Sequence, residues 1–579
     1  MNKYTESSLE RELIYRDKKF TKFFDCLGVN DRSFVRNKIS HYPRKIQRII
    51  ISLYRKEVTP FNANTELRKL TAKLDSIIPP ILLNHFDAGE HELRELAHAM
   101  ADKCRNYEIR GNLNKNSVNP VTGSGSDSGV DSVTGLNSVN ETNPVTDTRL
   151  NIRLEGVYQW CASFVNDKGL KAPEVNTKQT IEGCIKRMQD KGWWLRKLRR
   201  LITKSREGVM IELEQVSRTK GIYCSDLTVM NRQYQKKQQL EMLKSLVMTN
   251  ELGEQFSLHD LYEVNVSNPT LRRNELMTRM RGFEDMAKEF GNIGILITLT
   301  CPSKFHNSYS KSGDRNPKWQ GLTPYDGQQY LSNTWAKMRA AFARQGIRIF
   351  GLRIAEPQHD GTPHWHMLLF VELEQSKQFK SIIEHYSLEE DGNEKGAKEK
   401  RVDFVDIDPN KGSATGYIAK YISKNIDGAK LEKGVYGEDP ILAAQRVDAW
   451  ASCWGIRQFQ QIGGVSVTVW RELRRIRDSS VFRDETLTEL HKAADDGNWA
   501  SYTKLMGGVS CMRKSQAIRL YYKMEVNKIT GLIKTSWFDG LITKKLKGLL
   551  HKGNEIITRI HTWQIGKAGT DFLPSLGVL

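Results

Sequence analysis

Between residues 291 and 428 the apolar positions alternate between strand-like and helix-like spacing. Four short runs rich in β-branched and aromatic residues predict strands: IGILITLTC, IRIFGLRIAE, PHWHMLLFVEL and RVDFVDID. Three stretches with helical periodicity lie between or after them: TPYDGQQYLSNTWAKMRAAFARQG, QSKQFKSIIEHYSLEE and GSATGYIAKYISKNIDG. The order β-α-β-β-α-β-α predicts an α+β fold, in which a central antiparallel sheet of split βαβ type (RRM-like or ferredoxin-like) is backed by helices.

The rest of the chain divides by composition. Residues 1–112 contain long polar stretches with spaced Leu and Ile and few glycines, which predicts a helical N-terminal region. Residues 113–150 are mainly Ser, Asn, Thr, Gly and Val, and we predict a flexible low-complexity linker because such a segment buries too little apolar area to offset its ordering entropy. We predict a basic helical DNA-binding region over 151–290, the α+β domain over 291–475 and a helical C-terminal region over 476–579.

The overall composition narrows the function. The net charge is +20, and a chain this basic usually binds a polyanion, although a merely basic protein is the alternative. No run of about 18 uncharged apolar residues predicts a transmembrane helix, and the charged N-terminal stretch MNKYTESSLERELIYRDKKF has no apolar core of a secretion signal. The eight cysteines form no C-x-x-C pair, which argues against a zinc ribbon or a disulfide framework. We therefore predict a cytoplasmic protein with no membrane partner.

Two segments concentrate basic residues beside tryptophan. KGWWLRKLRRLITKSR contains Arg196, Arg199 and Arg200, and WRELRRIRD repeats the combination further along the chain. Because basic side chains bind phosphates and aromatic faces stack on unpaired bases, both segments are candidate DNA contacts. The alternative in each case is a solvated helix face whose tryptophans pack inward.

The predicted third strand contains a histidine pair. His364 and His366 are two residues apart, so a strand sends both imidazoles to one face and Trp365 to the other, where it packs in the core. Glu356 lies on the preceding strand, across the turn at 360–361, and a hairpin would bring its carboxylate opposite the histidines. Two nitrogens and one carboxylate suit Mg²⁺ or Mn²⁺ acting on a phosphate, while ligand type alone also fits Zn²⁺. A purely structural histidine pair is the alternative.

The predicted third helix contains two tyrosines at a spacing of four. Tyr417 and Tyr421 therefore emerge from one helix face, and Lys420 and Lys424 form a second pair that is a candidate DNA contact. A phenol with a pKa near 10 is rarely ionised at neutral pH, but a metal-bound phosphate is a better electrophile and nearby lysines would lower the phenol pKa. These groups suit a transesterification in which tyrosine attacks phosphorus and a sugar 3′-hydroxyl leaves. The alternative is two tyrosines packed on the sheet, with the lysines in solvent.

The predicted first strand ends in a polar cluster. Thr298 and Thr300 lie on one face of the strand, and Ser303, Lys304 and His306 follow it. This cluster is a candidate lining of a DNA groove, with an ordinary strand and turn as the alternative.

Three segments in chain order resemble the three motifs of HUH endonucleases, the rolling-circle replication initiators: TLTCPSKFH, EPQHDGTPHWHMLLF and YIAKYISKNIDG. Further stretches are similar to bacteriophage replication gene A proteins: YCSD, NPTLRRNELMTRMRGFE and WGIRQFQQIGG. The likeness covers roughly residues 180–480. The three motifs together are specific, whereas any one of them alone is not.

The resemblance implies a metal-dependent, site- and strand-specific DNA endonuclease with the HUH fold. Such an enzyme nicks a phage or prophage origin, becomes linked to the 5′-phosphate through tyrosine, leaves a 3′-hydroxyl for rolling-circle replication and later rejoins the strand. The resemblance implies Tyr417 and Tyr421 as nucleophiles and His364 and His366, with Glu356, as ligands of Mg²⁺ or Mn²⁺. Expected partners are origin DNA that is single-stranded at the nick, and the host helicase and polymerase, in the bacterial cytoplasm.

Two other functions remain open. A non-catalytic protein that binds single-stranded nucleic acid would carry aromatic residues on the sheet face where the third strand instead offers two histidines. The second alternative is an HUH relaxase or transposase. Relaxases usually have a three-histidine motif near the N-terminus, whereas the histidine pair here lies past the middle of the chain, and HUH transposases are usually far shorter. The sequence lacks the Walker A pattern G-x-x-x-x-G-K-S/T, which predicts no intrinsic ATP-driven helicase.

Overall fold

The alternation of apolar runs between residues 291 and 428 produces the predicted order of strands and helices. The structure is a computed structural model, and it describes residues 22–116, 144–177, 179–429, 431–478, 482, 484–527 and 530–567. The chain divides into two units: one extends to Val209 and includes Glu525–Thr543, and the other contains Met210–Met524 and the chain from Lys544 onward.

The first unit is mainly helical in its described part up to Val209, whereas its segment Glu525–Thr543 forms turns and isolated β-bridges. Its helices are α1 (Val29–Ile39), α2 (Arg44–Tyr54), α3 (Pro60–Ile77), α4 (Glu90–Asn116), α5 (Pro144–Asp167), α6 (Ile181–Met188) and most of α7 (Lys191–Glu212). Trp193 and Trp194 of α7 are both buried, which confirms inward packing of these tryptophans and excludes them as stacking platforms for bases.

The second unit contains all the described strands. The elements before and within the predicted α+β domain are α8 (Asp226–Ser245), β1 (Leu246–Asn250), β2 (Gln255–Ser257), α9 (Leu258–Glu263), α10 (Pro269–Glu289), β3 (Asn292–Leu299), α11 (Pro324–Arg344), β4 (Phe350–Pro357), β5 (Pro363–Glu372), α12 (Ser376–Leu388), α13 (Ala397–Lys400), β6 (Val402–Asp406), α14 (Ala414–Ile426), α15 (Pro440–Trp454), β7 (Phe459–Ile462) and α16 (Val467–Leu473). The elements after it are α17 (Glu485–Asp495), α18 (Trp499–Leu505), β8 (Ile518–Met524), β9 (Lys544–His551), β10 (Asn554–Ile557) and β11 (Trp563–Lys567).

The central sheet has the strand order β6-β3-β5-β4-β7, with antiparallel neighbours throughout. Helix α11 connects β3 to β4, and β5 lies between these two strands in the sheet. Two smaller antiparallel sheets have the orders β11-β1-β2 and β10-β9-β8. The chain is therefore a mixed α and β protein with antiparallel sheets, as the α+β prediction requires.

Alternation along β5 separates two buried faces. Leu368 and Phe370 belong to the face of His364 and His366, and they pack in one core with residues of α10 and α14. Trp365 belongs to the opposite face, is 1% exposed and donates from Nε1 to Oε1 of Gln328 on α11 at 3.1 Å. This confirms that Trp365 is a core residue on the face away from the histidines.

Local sequence fixes the ends of the elements that carry the site. Ser413 begins α14, and its Oγ accepts a hydrogen bond from the Gly416 backbone N–H at 3.0 Å. The β4–β5 turn contains Gly361 at φ +82°, where an added Cβ would lie 2.7 Å from the Tyr223 carbonyl oxygen. Only glycine suits that position, because both the left-handed backbone and the close contact exclude a side chain.

Several regional predictions need correction. The C-terminal region is not mainly helical, because β8 to β11 follow α17 and α18. The region 151–290 also contains β1 and β2. The predicted linker begins too early and ends too late, since α4 extends to Asn116 and α5 begins at Pro144, while 117–143 lie outside the described residues. Within the described residues, no helix is long and apolar enough to cross a membrane.

Candidate metal and nucleophile site

The β4–β5 hairpin places a carboxylate beside two imidazoles. Glu356 pairs directly with His364, and His366 follows on the same face of β5. One ligand atom from each of the three side chains lies within 4.8 Å of the other two. The sequence thus predicted the juxtaposition of Glu356, His364 and His366, and their donor set fits a divalent cation by chemistry.

The orientation of His366 is set by its neighbour on β3. Nδ1 of His366 lies 3.1 Å from Oγ1 of Thr298, and these two residues are directly paired between β3 and β5. Its Nε2 lies 2.9 Å from Nε2 of His364 and 3.8 Å from Oε2 of Glu356. The contact with Thr298 therefore turns the Nε2 atom of His366 toward the other two potential ligands.

Helix α14 contributes two donors to the same carboxylate. Nζ of Lys424 donates to Oε2 of Glu356 at 2.7 Å, and Nδ2 of Asn425 donates to Oε1. Asn425 is itself positioned by the Tyr421 carbonyl oxygen, 2.7 Å from Nδ2, and by Nε2 of Gln458, 3.3 Å from Oδ1. The carboxylate is fully buried and neutralised by a lysine, so an ion bound by Glu356 would share it with Lys424.

The electrostatic environment favours neutral imidazoles. Burial, followed by the charge of Lys424, brings the pKa of His366 down to about 4 against the opposing effect of Glu356. Burial and the neighbouring His366 hold the pKa of His364 well below its usual range. Both side chains are therefore unprotonated at neutral pH, which is the form that binds a metal ion.

The two tyrosines lie on α14 beside this cluster. The ring centroid of Tyr421 lies 4.1 Å from that of His366, with 32° between the ring planes. Tyr417 is half-buried one turn earlier, and both tyrosines line a cleft of about 360 Å³. The other residues lining the cleft are Leu296, Lys411, Gly412, Ser413, Gly416 and Lys420. The cleft is open to solvent, so both tyrosines are accessible from outside.

One electrostatic prediction is wrong for Tyr421. Lysines were expected to lower the phenol pKa, but burial raises the pKa of Tyr421, and the negative charges of Glu356 and Asp403 add to this effect. Lys424 is paired with Glu356, and Lys420 is exposed although its Nζ lies 5.4 Å from the Tyr421 ring centroid, so neither charge outweighs burial.

The candidate DNA contacts are found in different environments. Near the site, Nζ of Lys304 lies 2.9 Å from a carboxylate oxygen of Asp391, and Nδ1 of His306 lies 3.1 Å from the buried Asp360. Like Lys424, these two cations are engaged by acids, whereas Lys420 is exposed. The DNA-contact role of all these residues stays a prediction.

The arginines of α7 belong to the first unit. Nε of Arg199 donates to Glu90 at 3.0 Å, and Arg196 lies 3.8 Å from Asp190, while Arg200 is exposed. The side chain of Arg196 is 62% exposed and that of Arg199 is 44% exposed, and their role in DNA binding also stays a prediction.

Sequence reasoning missed Asn425 and Gln458, and it missed that Lys424 is paired and buried. One available signal was position: Asn425 follows Tyr421 by four residues, so it shares a helix face with a tyrosine that points at the sheet. A polar side chain on a buried helix face needs a partner, and Glu356 was already placed on that sheet face.

Comparison with known proteins adds family evidence to this geometry. The family model described as bacteriophage replication gene A protein matches residues 134–429, just over half of the chain. The replication gene A protein of Escherichia phage 186 is 42% identical over 399 residues, which are 66% of this chain and 56% of that protein. The replication protein of Haemophilus phage HP1 is 38% identical over 434 residues, which are 72% of this chain and 54% of that protein.

A third relative has a name that states an activity. A protein of Salmonella paratyphi A, named as a probable replication endonuclease from a prophage-like region, is 34% identical over 362 residues, which are 60% of this chain and 45% of that protein. The chain spans about half the length of the curated relatives it matches. No solved structure matches it.

Proposed function

Because the chain belongs to the bacteriophage replication gene A protein family, we propose that it is a replication endonuclease that nicks origin DNA through tyrosine. The observation that carries this proposal is the contact between Tyr421 and His366, which puts a potential nucleophile against a cluster of potential metal ligands. The strand order around β3, β4 and β5 supports an HUH-type split βαβ domain over 291–475.

The proposed reaction is a phosphodiester exchange. The hydroxyl oxygen of Tyr417 or Tyr421 forms a bond to phosphorus as the bond from phosphorus to the 3′-oxygen breaks. The tyrosine proton is transferred, overall, to the departing 3′-oxygen. The products are a 5′-phosphotyrosyl strand and a free 3′-hydroxyl, and the reverse exchange rejoins the strand without an external energy source.

The residues of the site have separate roles in this proposal. His364, His366 and Glu356 would hold a divalent ion, Mg²⁺ or Mn²⁺, which supplies charge neutralisation and polarisation of the phosphate. Lys424 keeps Glu356 compensated within the protein interior, and Thr298 orients His366. Because burial raises the pKa of Tyr421, its hydroxyl is protonated at neutral pH before DNA binds.

Single-stranded phage DNA is the direct substrate for a test. The full chain is incubated with it and with Mg²⁺ or Mn²⁺, and the products are separated under denaturing conditions. We expect a DNA-linked protein band that protease removes and that the combined variant Tyr417→Phe, Tyr421→Phe does not form. The matched control is Tyr234→Phe, since Tyr234 is 66% exposed on α8.

The two negative results have different meanings. If the unmodified chain binds the DNA but forms no adduct, the proposed nickase activity is wrong and the protein is a non-catalytic single-strand binding protein. Adducts that persist in the double tyrosine variant would place the nucleophile elsewhere. Host helicase and polymerase are proposed users of the 3′-hydroxyl, and the host cytoplasm is the proposed place of action.

A further inference from the structure

Four lysines gather on the β8–β9 strand pair, far along the chain from the candidate site. Lys523 on β8 pairs directly with Lys545 on β9, and the next pair places Lys544 opposite Met524. The register shifts between Tyr521 and Tyr522, so that Lys547 has no direct partner on β8. Because successive strand residues alternate, Lys523 and Lys545 share one face of the strand pair and Lys544 lies on the other. We call Lys523, Lys544, Lys545 and Lys547, on both faces of this strand pair, the lysine cluster.

This arrangement is unfavourable for the isolated protein. Like charges that face each other across paired strands repel, and three of the four lysines, all except Lys547, are exposed. Among the residues that the structure describes, none of the four ammonium groups has a carboxylate within 4.0 Å. An external anion would relieve the repulsion.

Neighbouring cations of the same sheet region behave differently. Nζ of Lys552, in the β9–β10 turn, lies 2.6 Å from Asp484, and the Arg559 guanidinium lies 2.7 Å from Glu472. Both acids lie in the same unit as the lysine cluster. Lys552 and Arg559 are therefore neutralised by acids of the same unit, whereas within the described ranges the lysine cluster is not.

One exposed aromatic side chain lies on the same strand pair as the lysine cluster. Tyr522 is 49% exposed and lies opposite Leu546, so it shares a face with Lys544, which is two residues before Leu546, whereas Lys523 and Lys545 lie on the other face. Lys544 beside this ring, with Lys523 and Lys545 at the same end of the strand pair, suits a strand with charged phosphates and unpaired bases, because phosphates bind ammonium groups and bases stack on the ring.

We propose that the β8–β9 strand pair is a second, sequence-independent contact surface for single-stranded DNA. The bound DNA would be the single strand next to the nick, and this part of the inference rests on the proposed function. The family model ends at residue 429, so the surface lies in a part of the chain that this model does not cover. Phosphate contacts there would hold DNA without reading its sequence.

The test compares two charge-matched triple variants by fluorescence anisotropy with a single-stranded oligonucleotide of unrelated sequence. One carries Lys523→Gln, Lys544→Gln and Lys545→Gln; the control carries Lys377→Gln, Lys395→Gln and Lys398→Gln, three exposed lysines near α12 and α13. We expect Kd to rise about tenfold or more in the first variant alone. The slope of log K against log salt should fall by about 2, since each lost single-strand phosphate contact contributes about 0.7.

A separate variant tests the choice of single-stranded DNA. Tyr522→Leu should weaken binding of the single strand about fivefold or more and leave binding of a duplex unchanged, because paired bases do not stack on the ring. If the two triple variants have equal Kd values and equal slopes of log K against log salt, the β8–β9 strand pair is not a DNA contact surface. If Tyr522→Leu leaves single-strand binding unchanged and the first triple variant weakens duplex binding equally, the single-strand assignment is wrong.

Failure of this inference is distinguishable from failure of the proposed function. A chain that forms covalent adducts but shows unchanged affinity in the β8–β9 variants contradicts only the inference. If the unmodified chain forms no adduct but the β8–β9 variants lose affinity for single-stranded DNA, only the proposed nickase activity is contradicted.

Discussion

The ammonium of Lys424 donates a hydrogen bond to Oε2 of Glu356 at 2.7 Å, in a place where both residues are buried. The second carboxylate oxygen accepts from Asn425 of the same helix. The helix that carries the tyrosines therefore holds the carboxylate that is proposed to bind metal. Any change in how Glu356 is shared between Lys424 and a metal ion would therefore alter the contacts of the helix that carries Tyr421.

The first prediction concerns Lys424→Met without metal. Removing the ammonium leaves Glu356 buried without its cation, so we expect the free energy of unfolding to fall by about 3–5 kcal/mol in the presence of a chelator. A divalent ion that binds the site would compensate the carboxylate in place of lysine. Saturating Mn²⁺ should therefore raise the Tm of the variant more than it raises the Tm of the unmodified protein.

The matched control for this prediction is Lys411→Met. Lys411 also lines the cleft, but its side chain is 77% exposed, so its loss should cost little. If Mn²⁺ raises the Tm of Lys424→Met and of the unmodified protein equally, Lys424 and the metal ion do not compete for Glu356.

The second prediction concerns the histidines. The combined variant His364→Ala, His366→Ala should lose Mn²⁺ binding in calorimetry and metal-dependent cleavage, while its Kd for single-stranded DNA stays within about twofold because phosphate contacts come from other residues. His385→Ala, on the exposed surface of α12, is the control. Undiminished Mn²⁺ binding in the double variant would exclude this cluster as the metal site.

The third prediction separates the two tyrosines. Tyr421 packs on His366, whereas Tyr417 lies one turn earlier along the cleft, so Tyr421→Phe should reduce formation of the first covalent adduct more than Tyr417→Phe. Both variants should keep their free energy of unfolding within about 0.5 kcal/mol, since only a hydroxyl is removed from a half-buried ring. Quantifying adducts under single-turnover conditions decides the order, and a stronger defect in Tyr417→Phe would reverse it.

Strand alternation made the center of the site predictable. The spacing of His364 and His366, with a turn at 360–361, was enough to place Glu356 opposite them. The pairing of Lys424 was not predictable in this way, because lysine is usually solvated and its burial depends on how α14 packs on the sheet. Local pattern states which face of a helix is apolar, but not which buried acid a polar residue on that face will meet.

The C-terminal strands were missed for a related reason. The segments 518–524 and 544–551 are rich in lysine and arginine on a small sheet that is only partly buried, so their apolar alternation is weak. Their pairing also joins segments about 20 residues apart in sequence, without a short hairpin turn to signal it. Strand formation there depends on packing of residues such as Ile518 and Leu549 against the larger core.

The last prediction uses the pair formed by His306 and the buried Asp360. Burial opposes a charged imidazole, but the charge and hydrogen bond of Asp360 outweigh it and raise the pKa of His306. Burial likewise opposes the charged carboxylate, yet His306 and the backbone N–H of Thr362 lower the pKa of Asp360 to about 2. The two shifts have opposite signs, so they stabilise the fold over a bounded pH range.

The sign of each effect defines that range. The contribution of His306 is complete below its unfolded pKa of about 6.5 and is lost as the pH rises through its higher folded pKa. The contribution of Asp360, on the order of 2 kcal/mol, is complete above about pH 4 and is lost as the pH falls through about 2. The pair should therefore stabilise the protein most between about pH 4 and 6.5.

Urea unfolding of the unmodified protein and of His306→Gln at several pH values measures this effect. Glutamine keeps a hydrogen-bond donor but cannot gain a proton, so the difference in free energy of unfolding should be largest near pH 5.5 and shrink steadily toward pH 9. His385→Gln, at an exposed site on α12, should show no such trend. If the difference for His306→Gln is constant or grows between pH 5.5 and 9, His306 does not gain a proton on folding, and its contact with Asp360 is a neutral hydrogen bond.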